Sequence, residues 1–461
     1  MVLDESRPFQ ESRLSWRLIA AWSVGTIGPV TLLYVVNYAF MFFMTDLLGV
    51  SAAIAGSLIF AVRIFDIFVD PLMGVISDRT VSRMGRRRPW MLGGSFLSAA
   101  GCIALFTLPT SIAVAGPLVV AAWSLAALVL YFVGYSMFNV PYMAMPAEMT
   151  DSYGERTRLM GARVFFVALS GLLGVSVAPL LVQYFGKGRF AYSLTSMLMA
   201  ALSLGAMVLC VITTGKARAT ARTIVRVSMH EQLRLAVGNK PFATLIFAKL
   251  LLLLAMSSST TSMFYFATHV LNRSLSTVSQ FGLLQTIGML LSLPLWVRLG
   301  KRWSKHHLFM VCCGLNSVLL LSWLLATPSE PTIWLLLRSF VIGGTSGGAL
   351  LMGQSLLPDT MEYDYRRTGM RREGAFSGAY SMVEKAGFAV GPLIIGLLLS
   401  NAGYGVKSGA PAEGATAFAV YMGVAVIPAV ASALAMLVFR GYGLTERTLR
   451  EMAADAPAPT S

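Results

Sequence analysis

An apolar stretch early in the chain, residues 60–77, carries three charged residues at the spacing of a helix face. Arg63, Asp66 and Asp70 follow one another at intervals of three and four residues, and Gly74 continues the same line. Residues at these intervals share one face of an α-helix. Charged side chains within an apolar span are costly and rarely face lipid. The spacing therefore predicts a polar stripe that lines an aqueous or ion-binding cavity.

Asp66 and Asp70 are the strongest chemical signal in this stripe. Two carboxylates one helical turn apart repel each other when both are charged, so that the pair is able to share one proton. With further oxygen ligands, Asp66 and Asp70 could instead hold Na⁺. The structural alternative is a buried salt bridge in which Arg63 neutralises the stripe. Two carboxylates for a single arginine favour the ion-binding interpretation.

Several further charges lie inside apolar segments. Lys385 is adjacent to Glu384, and neighbours in sequence do not face each other on a helix. Lys385 is therefore a candidate partner for the aspartates across the cavity, the alternative being a lysine that snorkels to the membrane surface. Lys249 lies close to the start of its apolar segment and is expected to snorkel. Arg163 and Arg338 fit either interpretation.

These side chains require elements that cross a membrane. The chain has 461 residues, of which 56% are hydrophobic and 12% are charged, and its mean hydropathy is +0.70. A soluble domain carries about twice that charged fraction. Apolar runs of about 20 residues predict transmembrane helices. We expect an all-α membrane protein with twelve spans, at 18–47, 52–77, 90–109, 117–146, 158–184, 190–214, 242–270, 276–299, 307–326, 332–356, 375–400 and 415–439.

The basic residues are distributed asymmetrically between the two sides of this bundle. Of the 36 lysines and arginines, 27 lie in the termini, in the loops of one side or at the span ends that border those loops, and four lie in the opposite loops. The positive-inside rule then places both termini in the cytoplasm. The spans form two six-helix halves, and we expect an N-terminal half (1–214), a cytoplasmic central loop (215–240), a C-terminal half (241–440) and a cytoplasmic tail (441–461).

Charge and motif patterns also exclude several classes of function. The positive charge belongs to the loops of a membrane protein, so we expect no nucleic-acid partner. The chain has no GxxxxGK[ST] phosphate-binding motif, and its four histidines are not spaced as ligands or bases near the aspartates. We therefore expect neither an ATP-driven pump nor an enzyme, and no cofactor other than a coupling ion, H⁺ or Na⁺. The expected partners are a small-molecule substrate and the lipid bilayer.

Cysteine usage and the polar start of the chain lead to further expectations. The four cysteines lie in apolar runs without metal-ligand spacing, so we expect no disulfides. Residues 1–17 are polar and of mixed charge, which is not the pattern of a cleavable signal peptide. We expect a monomer in the plasma membrane.

The loop that follows the charged stripe resembles the cytoplasmic loop motif of the major facilitator superfamily. In that superfamily two six-helix halves surround a substrate site at mid-membrane, and the motif latches two helices in the outward-open state. The resemblance implies a cytoplasmic gate formed by Asp78, Arg79, Arg86 and Arg87. The alternative is that these arginines only fix the orientation of the chain in the membrane.

Longer stretches resemble one family of this superfamily, the glycoside–pentoside–hexuronide:cation symporters. The resemblance is carried by FMTDLLGVSAAIAGSLIFAVRIFDIFVDPLMGVISDRT with GRRRPW after it, by YSMFNVPYMAMP and by DTMEYDYRRTGMRREGAFSGAYSMVEKAG. It implies cation-coupled symport of a glycoside, hexuronide or related sugar by alternating access. It also implies a cation-coupling site formed by Asp66, Asp70, Ser136 and Lys385, which Arg63 would tune.

The resemblance, together with the polar faces of the spans, implies a substrate cavity. The residues expected to line it are Arg63, Tyr34, Asn37, Tyr135, Asn139, Arg163 and Tyr380. The chain departs from the family pattern at Val30 and Asn139, where acids hold the sugar, and at Met143, where a tryptophan stands. Val69 replaces an amide ligand between the two aspartates. Loss of that oxygen makes a Na⁺ shell harder to complete, so we favour H⁺.

Two alternatives to a sugar symporter are left open by the sequence. Positive charges within the spans outnumber negative ones, which suggests a cavity with a positive surplus. Such a cavity would suit a non-sugar organic anion or an anionic amphiphile such as a lysolipid. The other alternative is a membrane sensor or scaffold without transport, against which the buried aspartate pair argues.

Overall fold

The computed structural model describes residues 13–150, 153–216, 238–368, 372–404 and 413–444. Twelve helices in these ranges are long and apolar enough to cross a membrane. They are α1 (Trp16–Leu47), α2 (Ala52–Arg79), α3 (Arg88–Phe106), α4 (Pro117–Pro146), α5 (Arg158–Tyr184), α6 (Arg189–Thr213), α7 (Lys240–Val270), α8 (Leu275–Gly300), α9 (Lys305–Leu325), α10 (Thr332–Thr368), α11 (Ala375–Asn401) and α12 (Gly414–Phe439).

The twelve spans predicted from hydropathy are thus confirmed, and the described residues contain helices without strands. A short additional helix, Thr110–Val114, lies between α3 and α4. Most of the predicted central loop (217–237) and of the tail (445–461) lies outside the described residues.

The helix α10 is longer than predicted, because it continues through Pro358 to Thr368 rather than ending at residue 356. Beyond the proline the side chains are polar, and a hydropathy pattern detects only the apolar part of a helix. The Thr360 hydroxyl donates to the Leu357 carbonyl oxygen. An ion pair between Arg366 and Glu362, four residues apart, supports the polar turns that follow.

The two halves meet through three pairs of helices. The helix α2 packs against α11, α5 against α8, and α1 against α7. The closest approach is between α2 and α11, where a Cβ atom added to Gly56 would lie 2.3 Å from the Pro392 carbonyl oxygen. Only glycine permits such contact between backbones. This contact lies at the end of the bundle opposite the arginine loop, which the charge distribution predicts to be external, and it closes the bundle there.

The helices α1 and α7 end in the same irregular geometry. In each, the last five residues, Phe43–Leu47 and Phe266–Val270, form a wider π-helical turn. The helices α1 and α7 are the first of their respective halves, so the two turns occupy equivalent places in the two halves. Such turns are often found at functional sites.

Candidate functional site

The predicted coupling residues come together where α2, α4 and α11 meet. The Lys385 ammonium nitrogen lies 2.7 Å from Asp66 Oδ2 and 2.6 Å from Asp70 Oδ2. On the opposite side of the carboxylates, Ser136 Oγ lies 2.7 Å from Asp66 Oδ1 and 2.6 Å from Asp70 Oδ1. Asp66 and Ser136 are fully buried. We refer to Asp66, Asp70, Ser136 and Lys385 as the aspartate cluster.

The backbone of α2 takes part in the same contact. Lys385 donates a hydrogen bond of 3.1 Å to the Asp66 carbonyl oxygen, whereas its approach to Asp66 Oδ2 is an ion pair without hydrogen-bond geometry. Pro71 follows Asp70 within the helix and has no N–H to offer the preceding turn, which loosens the helix there. Sequence and local backbone together thus present both carboxylates to a cation from the other half of the protein.

The Ser136 hydroxyl bridges the two carboxylates of the aspartate cluster. A serine hydroxyl has one hydrogen to donate but two lone pairs that accept. It can therefore donate to only one of the two carboxylate oxygens that lie within 2.7 Å of it. The second short contact becomes a hydrogen bond when the other carboxyl group carries a proton and donates to Ser136. The geometry fits a pair of aspartates that holds one proton.

Arg63 does not take the place that the sequence pattern suggested. Its guanidinium donates to Asn37 Oδ1 at 2.7 Å and lies over the Phe132 ring, 4.6 Å from the ring centroid. The spacing puts Arg63 on the face of the aspartates, but Lys385 reaches the two carboxylates from the facing helix. The interpretation in which Arg63 neutralises the stripe is therefore wrong, and Lys385 is the counter-ion.

The remaining predicted cavity residues are distributed over several helices of both halves. Tyr34 lines the central cavity, and Tyr135 packs near Tyr131 and Phe132 on α4. Asn139 is half-buried one helical turn after Ser136. Arg163 is half-buried on α5 and lies close to Tyr142.

The central cavity lies between the halves and has a volume of about 130 Å³. Its wall includes polar side chains from both halves: Tyr34, Tyr38, Ser259, Thr260, Gln285, Thr286, Asn316 and Ser346. A second chamber of about 40 Å³ shares Met256, Asn316, Ser346 and Leu350 with it, so that the two are adjacent. Lys249 and Tyr380 line this side chamber.

Lys249 is buried rather than snorkelling, in contrast to our expectation. Its ammonium nitrogen lies 3.1 Å from Glu384 Oε2 and 3.1 Å from the centroid of the Tyr380 ring. Glu384 and Lys385 are therefore both paired, each with a different helix. The sequence signal was present in the adjacent opposite charges, but it did not show that α7 supplies the partner. Arg338 pairs instead with Glu330 at 3.0 Å, near the predicted external end of α10.

The arginine loop forms a buried ion-pair cluster within the N-terminal half. The Arg87 guanidinium lies 2.8 Å from a Glu148 carboxylate oxygen and 3.6 Å from Asp78, and Arg86 also contacts Glu148. Arg79, by contrast, is exposed. Burial lowers the pKa of Arg87, and the charges of Glu148 and Asp78 oppose that shift. The loop motif thus ties α2 to the end of α4, and Glu148 is a member that the sequence did not reveal.

A third polar cluster, the external cluster, lies at the opposite end and joins the two halves. Asp46 Oδ1 on α1 accepts from the Tyr404 hydroxyl at 2.7 Å and lies 3.0 Å from His269 Nε2 on α7. Thr45 links the other Asp46 oxygen to the Tyr265 hydroxyl, with distances of 2.8 Å for each contact. No sequence pattern predicts this cluster, because Asp46 lies 223 residues from His269 and 358 residues from Tyr404.

Comparison with known proteins places this geometry in a family. The sequence matches the family described as MFS/sugar transport protein over residues 21–446. It is 31% identical over 426 residues to the uncharacterized symporter YnaJ of Bacillus subtilis (strain 168), covering 89% of this chain and 88% of YnaJ. It is 29% identical over 417 residues to the putative glycoside/cation symporter YagG of Escherichia coli (strain K12), covering 88% and 87% of the two chains.

A solved structure supports the architecture. The nucleoside transporter NupG is similar with a TM-score of 0.63 over 93% of this chain and 100% of NupG, at 13% sequence identity. That similarity shows the fold of the major facilitator superfamily. With twelve membrane-spanning helices and these relatives, the protein is a multi-pass transporter of the plasma membrane and not an enzyme. The chain belongs to the MFS/sugar transport family, that is, to the glycoside–pentoside–hexuronide:cation symporters of the major facilitator superfamily.

Proposed function

We propose that the protein is a proton-coupled symporter of a glycoside or related sugar, with the aspartate cluster as its coupling site. The observation that carries this proposal is the contact of one Ser136 hydroxyl with both carboxylates. Two carboxylates and one ammonium group carry a net charge of minus one. A single proton therefore neutralises the cluster and completes its hydrogen bonds at the same time.

Na⁺ at Asp66 and Asp70 is the competing choice of coupling ion. A hard cation needs several oxygen ligands around it. Among the described residues, no third carboxylate, histidine or cysteine joins the two aspartates to form a metal-binding group. The Lys385 ammonium already occupies the space between the two Oδ2 atoms. These features favour H⁺ over Na⁺.

The position of Lys385 suggests how the proton is linked to alternating access. Asp66 and Asp70 belong to the N-terminal half, whereas Lys385 belongs to the C-terminal half. The ion pair is strongest when both aspartates are charged, and protonation of one weakens the attraction across the interface. Proton binding and release therefore change the free energy of the contact between α2 and α11, along which the halves rock.

The central cavity supports a polyhydroxylated substrate. Its wall offers hydroxyl and amide groups from both halves, which donate and accept hydrogen bonds as a sugar requires. The printed name of the relative YagG describes a putative glycoside/cation symporter. An organic anion is the second candidate. Arg63 donates to the neutral amide of Asn37. Among the described residues, neither Arg63 nor Arg163 forms an ion pair with a carboxylate.

Uptake into proteoliposomes tests the proposal. The purified protein is given a panel of labelled glycosides, pentosides and hexuronides under a pH gradient alone, a Na⁺ gradient alone, or neither. We expect accumulation of at least one sugar under the pH gradient without Na⁺. Accumulation that strictly requires Na⁺ would contradict the proton assignment, and uptake of anions without any sugar would contradict the substrate assignment.

A further inference from the structure

The ion pair between Lys249 and Glu384 lies beside the substrate cavity rather than at either membrane surface. Lys249 lines the side chamber, whose polar wall is completed by Asn316 and Ser346. The side-chain amide oxygen of Asn316, Oδ1, accepts from the Thr345 and Ser346 hydroxyls, at 3.1 and 3.0 Å. The side chamber therefore presents a fixed polar corner within an otherwise apolar wall.

Glu384 is the open member of this ion pair. Its side chain is 45% exposed, whereas that of Lys249 is 8% exposed. Lys249 engages Oε2, which leaves Oε1 available to accept a further hydrogen bond. Lys249, which Glu384 contacts at 3.1 Å, lines the side chamber. The exposed carboxylate therefore lies beside that chamber.

We propose that Glu384 is a specificity-determining residue whose carboxylate accepts hydrogen bonds from the hydroxyl groups of an uncharged sugar. The inference rests on the proposed sugar symport and names the substrate class for that site. A carboxylate with a free oxygen forms charge-assisted hydrogen bonds, which are roughly twice as strong as neutral ones. Lys249 holds the carboxylate in place through the ion pair at 3.1 Å.

The same ion pair disfavours an anionic group at this corner. Lys249 is the cation of the C-terminal half that lines the side chamber, and Glu384 already neutralises it at 3.1 Å. A sulfonate or carboxylate placed there would meet the exposed Glu384 charge before it reached the buried ammonium group. Like charges at such short range cost free energy in a low-dielectric site. The side chamber therefore selects neutral hydroxyl groups over anions.

Glu384 also lies next to Lys385 in sequence, which gives its contacts a second consequence. A sugar bound to Glu384 lies one residue from Lys385, whose ammonium group holds Asp66 and Asp70. Substrate and proton are thereby held by consecutive residues of one helix, on two different faces.

Two variants test this inference, Glu384→Gln and the double variant Lys249→Met with Glu384→Gln. The glutamine keeps the shape but replaces a charge-assisted hydrogen bond by a neutral one, so we expect the KM for a neutral sugar to rise about tenfold. Competition by the matching hexuronide is expected to improve in Glu384→Gln, because the Lys249 charge is uncovered. The double variant leaves no unpaired charge and so guards against misfolding.

The double variant also separates recognition from simple charge balance. If Glu384 accepts hydrogen bonds from the sugar, the KM stays about tenfold raised in the double variant, while the gain in hexuronide competition disappears. A return to the wild-type KM would show that Glu384 serves only to neutralise Lys249 and would overturn the inference, as would an unchanged KM in Glu384→Gln. Loss of pH-driven accumulation at saturating sugar would move Glu384 to the coupling site instead. Failure of the proposed function itself would already show in the wild-type protein, as absence of sugar uptake under either gradient.

Discussion

Replacing Asp70 by asparagine separates sugar movement from the proton gradient. The amide mimics a carboxyl group that never releases its proton. In Asp70→Asn the cluster retains the ion pair between Asp66 and Lys385, whose N···O distance is 2.7 Å. The opposite charges of this pair neutralise each other without an added proton. The variant should therefore fold and bind sugar, but it should not exchange a proton during the transport cycle.

The size of the effect follows from the charge of the aspartate cluster. A net charge of minus one accommodates one proton for each sugar. A pH difference of one unit contributes about 1.4 kcal/mol per proton, and a membrane potential of 100 mV contributes about 2.3 kcal/mol per charge. The sum of about 3.7 kcal/mol supports an accumulation of about 500-fold for a neutral sugar. In Asp70→Asn the accumulation ratio should fall to about one.

Proteoliposomes with an imposed pH gradient and potential provide the assay. Accumulation is measured with labelled sugar, and sugar exchange at equal pH is measured in parallel. We expect Asp70→Asn to retain exchange and lose accumulation. The control is Asp359→Asn. Asp359 forms an ion pair with Lys305 at 2.8 Å and belongs neither to the aspartate cluster nor to the wall of the central cavity. The reasoning is refuted if Asp70→Asn still accumulates sugar against its gradient, or if the Asp359 variant loses accumulation equally.

Two further predictions concern the ends of the bundle. Glu148→Gln leaves the buried Arg87 guanidinium without its nearest carboxylate. The loss should lower the free energy of unfolding by about 3 kcal/mol and the thermal midpoint in detergent by about 5 °C. The control, Arg79→Gln at an exposed position, should hardly change the midpoint, and equal effects of the two variants would contradict a role for burial. Gly56→Leu places a side chain against a backbone carbonyl of α11, at a cost of about 1–3 kcal/mol, and should favour opening of that end about 5- to 150-fold. Labelling of a cysteine introduced into the central cavity by an impermeant maleimide measures this opening. The control is Gly205→Leu, where an added Cβ meets open space. Equal labelling of the two variants would refute the prediction.

The sequence was sufficient for the spans and for placing Asp66 and Asp70 on one face of α2. Hydropathy identifies an apolar helix because the bilayer interior permits little else, and a spacing of four residues places Asp66 and Asp70 on one face. The partner of these residues was harder to infer. Arg63 and Lys385 were both candidates, and only the packing of α11 against α2 decides between them.

Contacts between distant helices account for most of what the sequence left out. Lys249 and Glu384 are 135 residues apart, and the local sequence around each of them does not predict that they form an ion pair. The apolar stem of Lys249 made snorkelling the simpler expectation. Burial of the Lys249 ammonium group is favourable because α11 supplies both the Glu384 carboxylate and the Tyr380 ring. Together these two groups compensate for the lost hydration.

The two π-helical turns at the ends of α1 and α7 have a consequence for how the halves recognise each other. Their sequences are FMTDL and FATHV, so that Asp46 and His269 occupy the same fourth position of equivalent segments. Across a two-fold axis, identical halves would set acid against acid or imidazole against imidazole at this position. In this chain Asp46 instead faces His269, at a distance of 3.0 Å. Severed and co-expressed halves should accordingly reassemble as mixed pairs rather than as pairs of the same half.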